Sequence, residues 1–301
     1  MNLTRRDFLK VCGASAALLG LGARFAPAPL ARGPKAVPLG PRGGNAMLMD
    51  TSKCIGCKTC QLACKQKNGL PTDDKPKGLC STALCYVDMK NVSDDPRKPV
   101  IKPVKRQCMN CNNPGCVSAC TVGALQKLPN GPVVYDANRC IGCRYCMYAC
   151  PFGIPTFEWE KSLSLIKKCN QCADLQAKGQ PPACAKACPV GAIQYGTRDE
   201  LLTIARQRIQ DTKVSYVKHI YGEKEVGGTS MLYLATVPFL SLGFPELPEE
   251  APADVSQEIM HMTPQVATTV ATLLTATYLF TSRRQKLHAR VVAKNVETGG
   301  K

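Results

Sequence analysis

Aromatic and histidine side chains are scarce in this 301-residue chain, which holds one tryptophan, seven phenylalanines, nine tyrosines and three histidines. Large rings usually dominate core energetics, so a different kind of group is expected to organise the interior. Acidic residues are also few, 22 against 39 lysines and arginines, for a formal charge of +17. No glycine-rich nucleotide loop and no nucleophile triad motif occurs, so an active site of the chain's own is not expected. Helix-turn-helix, zinc-finger and RNA-binding signatures are missing as well, and the basic excess therefore does not argue for nucleic acid.

Cysteine is what the chain has in quantity. Sixteen of its 19 cysteines fall into four blocks: Cys54, Cys57, Cys60 and Cys64; Cys108, Cys111, Cys116 and Cys120; Cys140, Cys143, Cys146 and Cys150; Cys169, Cys172, Cys184 and Cys188. Cys12, Cys80 and Cys85 are left over. Three chemistries compete for the spacing C-x2-C-x2-C-x3-C. Disulfide frameworks belong to short secreted domains and do not need a tight repeated spacing. Structural zinc favours two C-x2-C pairs on separate knuckles. A 4Fe-4S cubane accounts for both a triplet, which wraps the cluster, and a fourth cysteine one helical turn beyond, which can be offered to a neighbouring cluster. Prolines follow two of the fourth cysteines, Pro151 after Cys150 and Pro189 after Cys188, whereas Lys65 and Thr121 follow the others. Four such clusters, each about −2 with its thiolates, would bring the net charge to about +9, with nearby basic residues offsetting buried negative charge.

The repeats run past the cysteines. "MLMDTSKCIGCKTC" (47–60) aligns with "VVYDANRCIGCRYC" (133–146), and "ACTVGALQ" (119–126) with "ACPVGAIQ" (187–194). Each apolar lead-in reads as a strand that ends at Asp50 or Asp136. Gly56 and Gly142 remove side-chain bulk where backbone curls tightly. The expected fold is therefore α+β: two fused ferredoxin-like units related by pseudo-two-fold symmetry, spanning residues 32–250. Residues 65–107, rich in proline, lysine and aspartate, read as an inserted surface loop in which Cys80 and Cys85 either pair or stay free.

Both ends read as addresses. "TRRDFLK" (4–10) followed by "VCGASAALLGLGA" resembles a twin-arginine export signal over residues 1–31, with cleavage between Ala26 and Ala31. Residues 262–282 carry no charge and precede "RRQKLHAR", so a C-terminal transmembrane helix is expected there after a linker over 251–261, with Pro264 in its first turn and a basic cytoplasmic tail over 283–301. An amphipathic surface or partner-binding helix is the alternative. Among the histidines, His261 before that helix invites a haem-ligand reading, but a lone histidine is more often a solvent or interface contact. Glu223 and Lys224 in "YGEKEVGG" read as a loop or docking surface.

On these blocks, and on "QCMNCNNPGCVSAC", "CRYCMYACPFGIPTFEW" and "HIYGEKEVGGTSMLYLATVPF" (219–239), the chain resembles the four-cluster ferredoxin-type beta subunits of membrane-bound oxidoreductases. It is most similar to those of hydrogenase-2-type periplasmic nickel-iron hydrogenases, with formate dehydrogenase and other molybdopterin enzymes close behind. The resemblance implies four complete 4Fe-4S clusters with crossed ligation. Cys54, Cys57 and Cys60 would share a cluster with Cys188, and Cys108, Cys111 and Cys116 with Cys150. Likewise Cys140, Cys143 and Cys146 would pair with Cys120, and Cys169, Cys172 and Cys184 with Cys64. It further implies an exported, membrane-tethered electron carrier with no active site, standing between hydrogenase small and large subunits and an integral membrane quinone-reactive subunit.

Overall fold

A computed structural model describes residues 44–298 except 94, 96 and 160–164, and leaves out the side chains of 255–261 and 294–298. The expected export signal and Cys12 lie outside the described residues.

The first strand, β1 (Asn45–Asp50), is the expected apolar lead-in, and it is buried on both faces. Helix α1 (Thr59–Lys67) follows. The insertion is more than a loop: it contains β2 (Cys85–Asn91) and β3 (Ile101–Gln107), paired antiparallel with Val87 opposite Lys105. Alternation sets Cys85, Val87, Lys105 and Gln107 on one inward face, and the same face comes out to solvent at Met89 and Ile101 towards the open end of the pair. Then come α2 (Gly115–Ser118), β4 (Leu125–Lys127), β5 (Val133–Tyr135), α3 (Tyr145–Tyr148), β6 (Thr156–Phe157) and β7 (Ile166–Lys167). Next are α4 (Ala173–Gln176), α5 (Ala183–Lys186), β8 (Ile193–Thr197), α6 (Arg198–Gln210), β9 (Met231–Leu234) and α7 (Pro252–Thr298).

Strand β1 is central to a three-stranded sheet, antiparallel to β8 and parallel to β9. Strands β4 and β5 form the equivalent antiparallel pair in the other half, and β6 pairs with β7. Period-two alternation splits the β1 side chains. Ala46 and Leu48 pack with Leu232 and Leu234 against Leu201, Leu202 and Ala205 of α6. Met47 and Met49 face the other way, among Cys60, Cys64 and Cys184. Burying each leucine of the α6 face contributes about 1.5–3 kcal/mol. That helix starts on a capping box, in which Thr197 Oγ1 accepts from Glu200 N and the Glu200 carboxylate accepts from Thr197 N.

Gly222, at the start of "GEKEVGG", has φ +95°, and a Cβ there would stand 2.3 Å from the Met231 carbonyl oxygen. Gly222→Ala should therefore cost roughly 2–4 kcal/mol, read as a fall of several degrees in the melting temperature of the holoprotein; an unchanged Tm would show that this turn yields freely.

The C-terminal expectation needs correction. A helix does cover 262–282, but no helix among the described residues is long and apolar enough to cross a membrane. Threonine at 263, 268, 269, 272, 275, 277 and 281 keeps the mean hydropathy down. The hydroxyls of Thr268, Thr269, Thr272, Thr275, Thr277 and Thr281 each return to a carbonyl one turn back. The expected linker 251–261 is instead the start of the same helix, which begins at Pro252, and Pro264 falls in its interior. Pro252 suits a first helical position, where its missing N–H is no loss.

Candidate metal centres

The two C-I-G-C loops are built alike. Asp50 Oδ1 accepts from Ser52 N at 3.1 Å and Asp136 Oδ1 accepts from Asn138 N at 3.0 Å, so each aspartate closes the turn that ends its strand. Asp50, fully buried, is also held by Tyr216 OH at 2.8 Å and Arg208 at 3.1 Å. The chain then curls through Gly56 (φ 70°) and Lys58 (φ 62°) in one loop, Gly142 (φ 70°) and Arg144 (φ 65°) in the other. Left-handed backbone of this kind favours glycine, and a Cβ on Gly56 would press on Met89 and Pro103 of the hairpin. Each loop runs into a helix carrying its third cysteine, α1 for Cys60 and α3 for Cys146.

Cysteines distant in sequence are gathered in fours. Cys54 lies within electrostatic reach of Cys60, Cys188 and Cys57, and these four line one small pocket. Cys146 faces Cys120, Cys140 and Cys143 around a second small pocket. Cys111 faces Cys108, Cys116 and Cys150. Cys169 and Cys172 both face Cys184. Cys64 comes from α1, which packs against α5, and shares a buried cluster with Cys184; Cys85 lies in the same cluster, close to Cys60, Cys64 and Cys184. No three histidine, cysteine or acidic side chains among the described residues converge as a single metal ion requires. Ligands spread in fours around a pocket match the four-thiolate ligation of a 4Fe-4S cubane.

Backbone donors point at sulfur throughout. Gly142 N donates to Cys140 Sγ at 3.4 Å, Gln171 N to Cys169 Sγ at 3.3 Å, and Ala124 N to Cys120 Sγ at 3.2 Å. Against this, burial pushes the thiol of Cys111 well above its usual range, those of Cys116 and Cys169 up to about 12, and that of Cys146 to about 11. Such thiols keep their protons until a cation takes the proton's place. Among the described residues two buried donors have no nitrogen or oxygen acceptor in place: Lys105 Nζ, and Tyr135 OH, whose neighbour is the Cys140 sulfur. Both face block cysteines, where the sulfur of a bound cluster would accept. The donor set and these orphaned donors together fit 4Fe-4S clusters.

The sequence led to an expectation of basic residues near the clusters but did not single any out. Lys105 and Lys168 are buried, and Lys168 Nζ reaches Val133 O at 2.6 Å, Cys169 O at 3.1 Å and Cys108 Sγ at 3.9 Å. Burial takes the ammonium of Lys127 down to about 8, against the pull of Cys111 and Cys108. Cys85, also missed, is 2 % exposed, and neither it nor Cys80 forms a disulfide.

Other residues singled out from the sequence have structural partners. His219 Nε2 bonds Glu225 Oε1 at 2.7 Å and stacks edge-on against Phe239. His288 is exposed on α7, and the His261 side chain lies outside the described residues. Glu223 pairs with Arg206, and Lys224 with Glu249 at 3.0 Å.

Comparison with known proteins agrees with this geometry. A 4Fe-4S dicluster domain matches residues 100–198 and a 4Fe-4S binding domain matches residues 45–66. A protein of Nitratidesulfovibrio vulgaris is 36% identical over 308 residues, covering 98% of this chain and 81% of its own. The hydrogenase-2 operon protein HybA of Escherichia coli O157:H7 is 32% identical over 296 residues, 86% of this chain and 89% of its own. The iron-sulfur subunit of nitrate-inducible formate dehydrogenase from Escherichia coli K12 is 36% identical over 218 residues, 68% and 73% respectively. The chain thus belongs to the family of iron-sulfur electron-transfer subunits that includes the hydrogenase-2 protein HybA and the formate dehydrogenase iron-sulfur subunits, and carries their 4Fe-4S dicluster domains.

Proposed function

We propose that the chain is an exported electron wire with four 4Fe-4S clusters, joining a periplasmic nickel-iron hydrogenase to a membrane quinone-reactive subunit. Set one is Cys54, Cys57, Cys60 and Cys188; set two Cys108, Cys111, Cys116 and Cys150; set three Cys140, Cys143, Cys146 and Cys120; set four Cys169, Cys172, Cys184 and Cys64. Bound clusters would supply one-electron redox sites; the chain fixes their order.

That order can be followed through neighbouring sulfurs. Cys85 joins Cys60 of set one to Cys64 and Cys184 of set four. Cys169 of set four faces Cys108 of set two, and Cys116 of set two faces Cys146 of set three. The sequence of sets is one, four, two, three. Of the sixteen block cysteines only Cys57 and Cys143 are exposed, and they belong to the two end sets. A path buried in the middle and open at both ends is what transfer between two partner proteins requires. Ile55 stands exposed beside one opening, and Ile141, Tyr145 and Tyr148 beside the other, apolar surface suited to docking.

Helix α7 packs against α2, with Pro252 beside Gly115 and Asn113 bonded to Asp254. It therefore leaves from the side of sets two and three, which supports reading set three as the end toward the membrane. Its exposed Leu273, Leu274, Leu279 and Phe280 suit packing against a membrane subunit. The "TRRDFLK" motif supports export of the folded, cluster-loaded chain to the outer face of the cytoplasmic membrane. The hydrogenase assignment rests on the HybA match, which covers more of this chain than the formate dehydrogenase match does; the second reading is the equivalent subunit of a formate dehydrogenase.

Purification from the native host without oxygen, in mild detergent and through the C-terminus, tests both ends. About sixteen irons and sixteen sulfides per chain are expected, together with a nickel-containing partner. A molybdenum-containing partner would favour the second reading, and a colourless, iron-free chain would refute both.

A further inference from the structure

Lys105 is the feature least accounted for by the fold. It sits in β3, opposite Val87, with no exposed surface at all, and its Nζ has no hydrogen-bond partner among the described residues. An ammonium taken from water and left unpaired is among the most costly groups an interior can hold. The other buried lysines are supplied: Lys65 Nζ has Pro71 O at 2.9 Å and the Asp74 carboxylate, and Lys168 Nζ has two carbonyls. What surrounds Lys105 is sulfur. Cys60 of set one, Cys184 of set four and the free Cys85 are its strongest charged neighbours, and Cys169 of set four feels its charge in turn.

The hairpin is fixed in this position from three sides. Gln61 Oε1 accepts from Val87 N at 3.2 Å, tying β2 to helix α1 between its two cysteines. Tyr233 OH donates to the Lys105 carbonyl at 2.8 Å, tying β3 to β9. Gln107, two residues along the same face, donates to Met231 Sδ at 2.7 Å. The ammonium is thus held at the junction of two cysteine sets rather than left to swing outward.

We propose that Lys105 is a charge-placing residue for electron transfer: its ammonium lies between sets one and four, donates to sulfur on both sides, and raises the potentials of this pair above those they would have without it. The sign follows from electrostatics, since reduction adds negative charge beside a fixed positive one, and donors to cluster sulfur act in the same direction. The proposal rests on the reading that the block cysteines hold clusters.

The test is potentiometric titration of the holoprotein followed by paramagnetic resonance, comparing Lys105→Gln, Lys105→Met and Lys105→Arg. Both neutral variants should shift the reduction equilibrium of two of the four clusters at least tenfold toward the oxidised form, about 59 mV for one electron. Lys105→Arg should keep both potentials close to those of the wild type, which a merely space-filling role would not predict. A second measurement does not depend on the neutral variants assembling. With lysine labelled by nitrogen-15, the wild-type reduced protein should show a nitrogen coupling that Lys105→Arg removes. Unchanged potentials at full iron content, equal shifts in all four clusters, or no such coupling would each overturn the role of Lys105 while leaving the wire intact. Absence of iron from the wild type would overturn the wire as well.

Discussion

Stripping iron from the purified protein should abolish its cooperative thermal transition rather than merely lower it. Four of the helices, α2 to α5, are four residues long, far below the length at which a helix is stable alone. Every one of them carries or adjoins block cysteines. The main apolar core is itself threaded with Cys60, Cys64 and Cys184, so ligation and packing are one event. Structural metal sites contribute about 10–16 kcal/mol in small domains, comparable with the whole stability of an ordinary domain, about 5–15 kcal/mol. Removing every one of the proposed centres at once leaves no margin. The measurement is calorimetry before and after anaerobic chelation with an oxidant. An apoprotein melting within a few degrees of the holoprotein would show that the chain folds on its hydrophobic contacts alone.

The same chemistry sets a pH direction. Burial holds the thiols of Cys116, Cys146 and Cys169 at about 11 to 12, above their usual 9.0. Ligation must displace those protons, so reconstitution with iron and sulfide should become more favourable as pH rises from about 7 toward about 9.

How much of this could be read beforehand differs from element to element. The apolar lead-ins before Asp50 and Asp136 are period-two patterns ending at a turn residue, and β1 and β5 form there because local rules suffice. The hairpin β2–β3 was hidden by lysines and prolines that look like loop composition. Its inward face is polar as well as apolar, and only the tertiary environment makes a lysine at 105 tolerable. Cys85 reads as a surface thiol for the same reason. At the C-terminus the uncharged run signals a helix correctly, but charge absence alone overstates its apolarity, since threonine is neutral without being hydrophobic. Spacing locates triplets of cysteine. Which fourth cysteine joins each triplet depends on chain crossing, over more than a hundred residues between Cys54 and Cys188, and no local pattern encodes it.

That crossing carries the second large effect. Cys184 lies in α5 and Cys188 two residues past its end, yet they face different partners: Cys184 faces Cys169 and Cys172, whereas Cys188 faces Cys54 and lines its pocket. Cys188→Ala should therefore damage the cluster of the first block, leaving the one held by Cys169, Cys172 and Cys184 unchanged, and Cys184→Ala should do the reverse. Paramagnetic spectra of the reduced variants separate the two, with iron falling from about sixteen per chain toward about twelve if the damaged centre is lost outright. On the proposed path, in which set one is an end, electron delivery through the assembled complex should drop by more than the roughly 10–100-fold that loss of an outer-shell partner produces. A Cys188→Ala variant that instead loses the signal of its own block would mean the two halves ligate separately, and the order one, four, two, three would have to be redrawn.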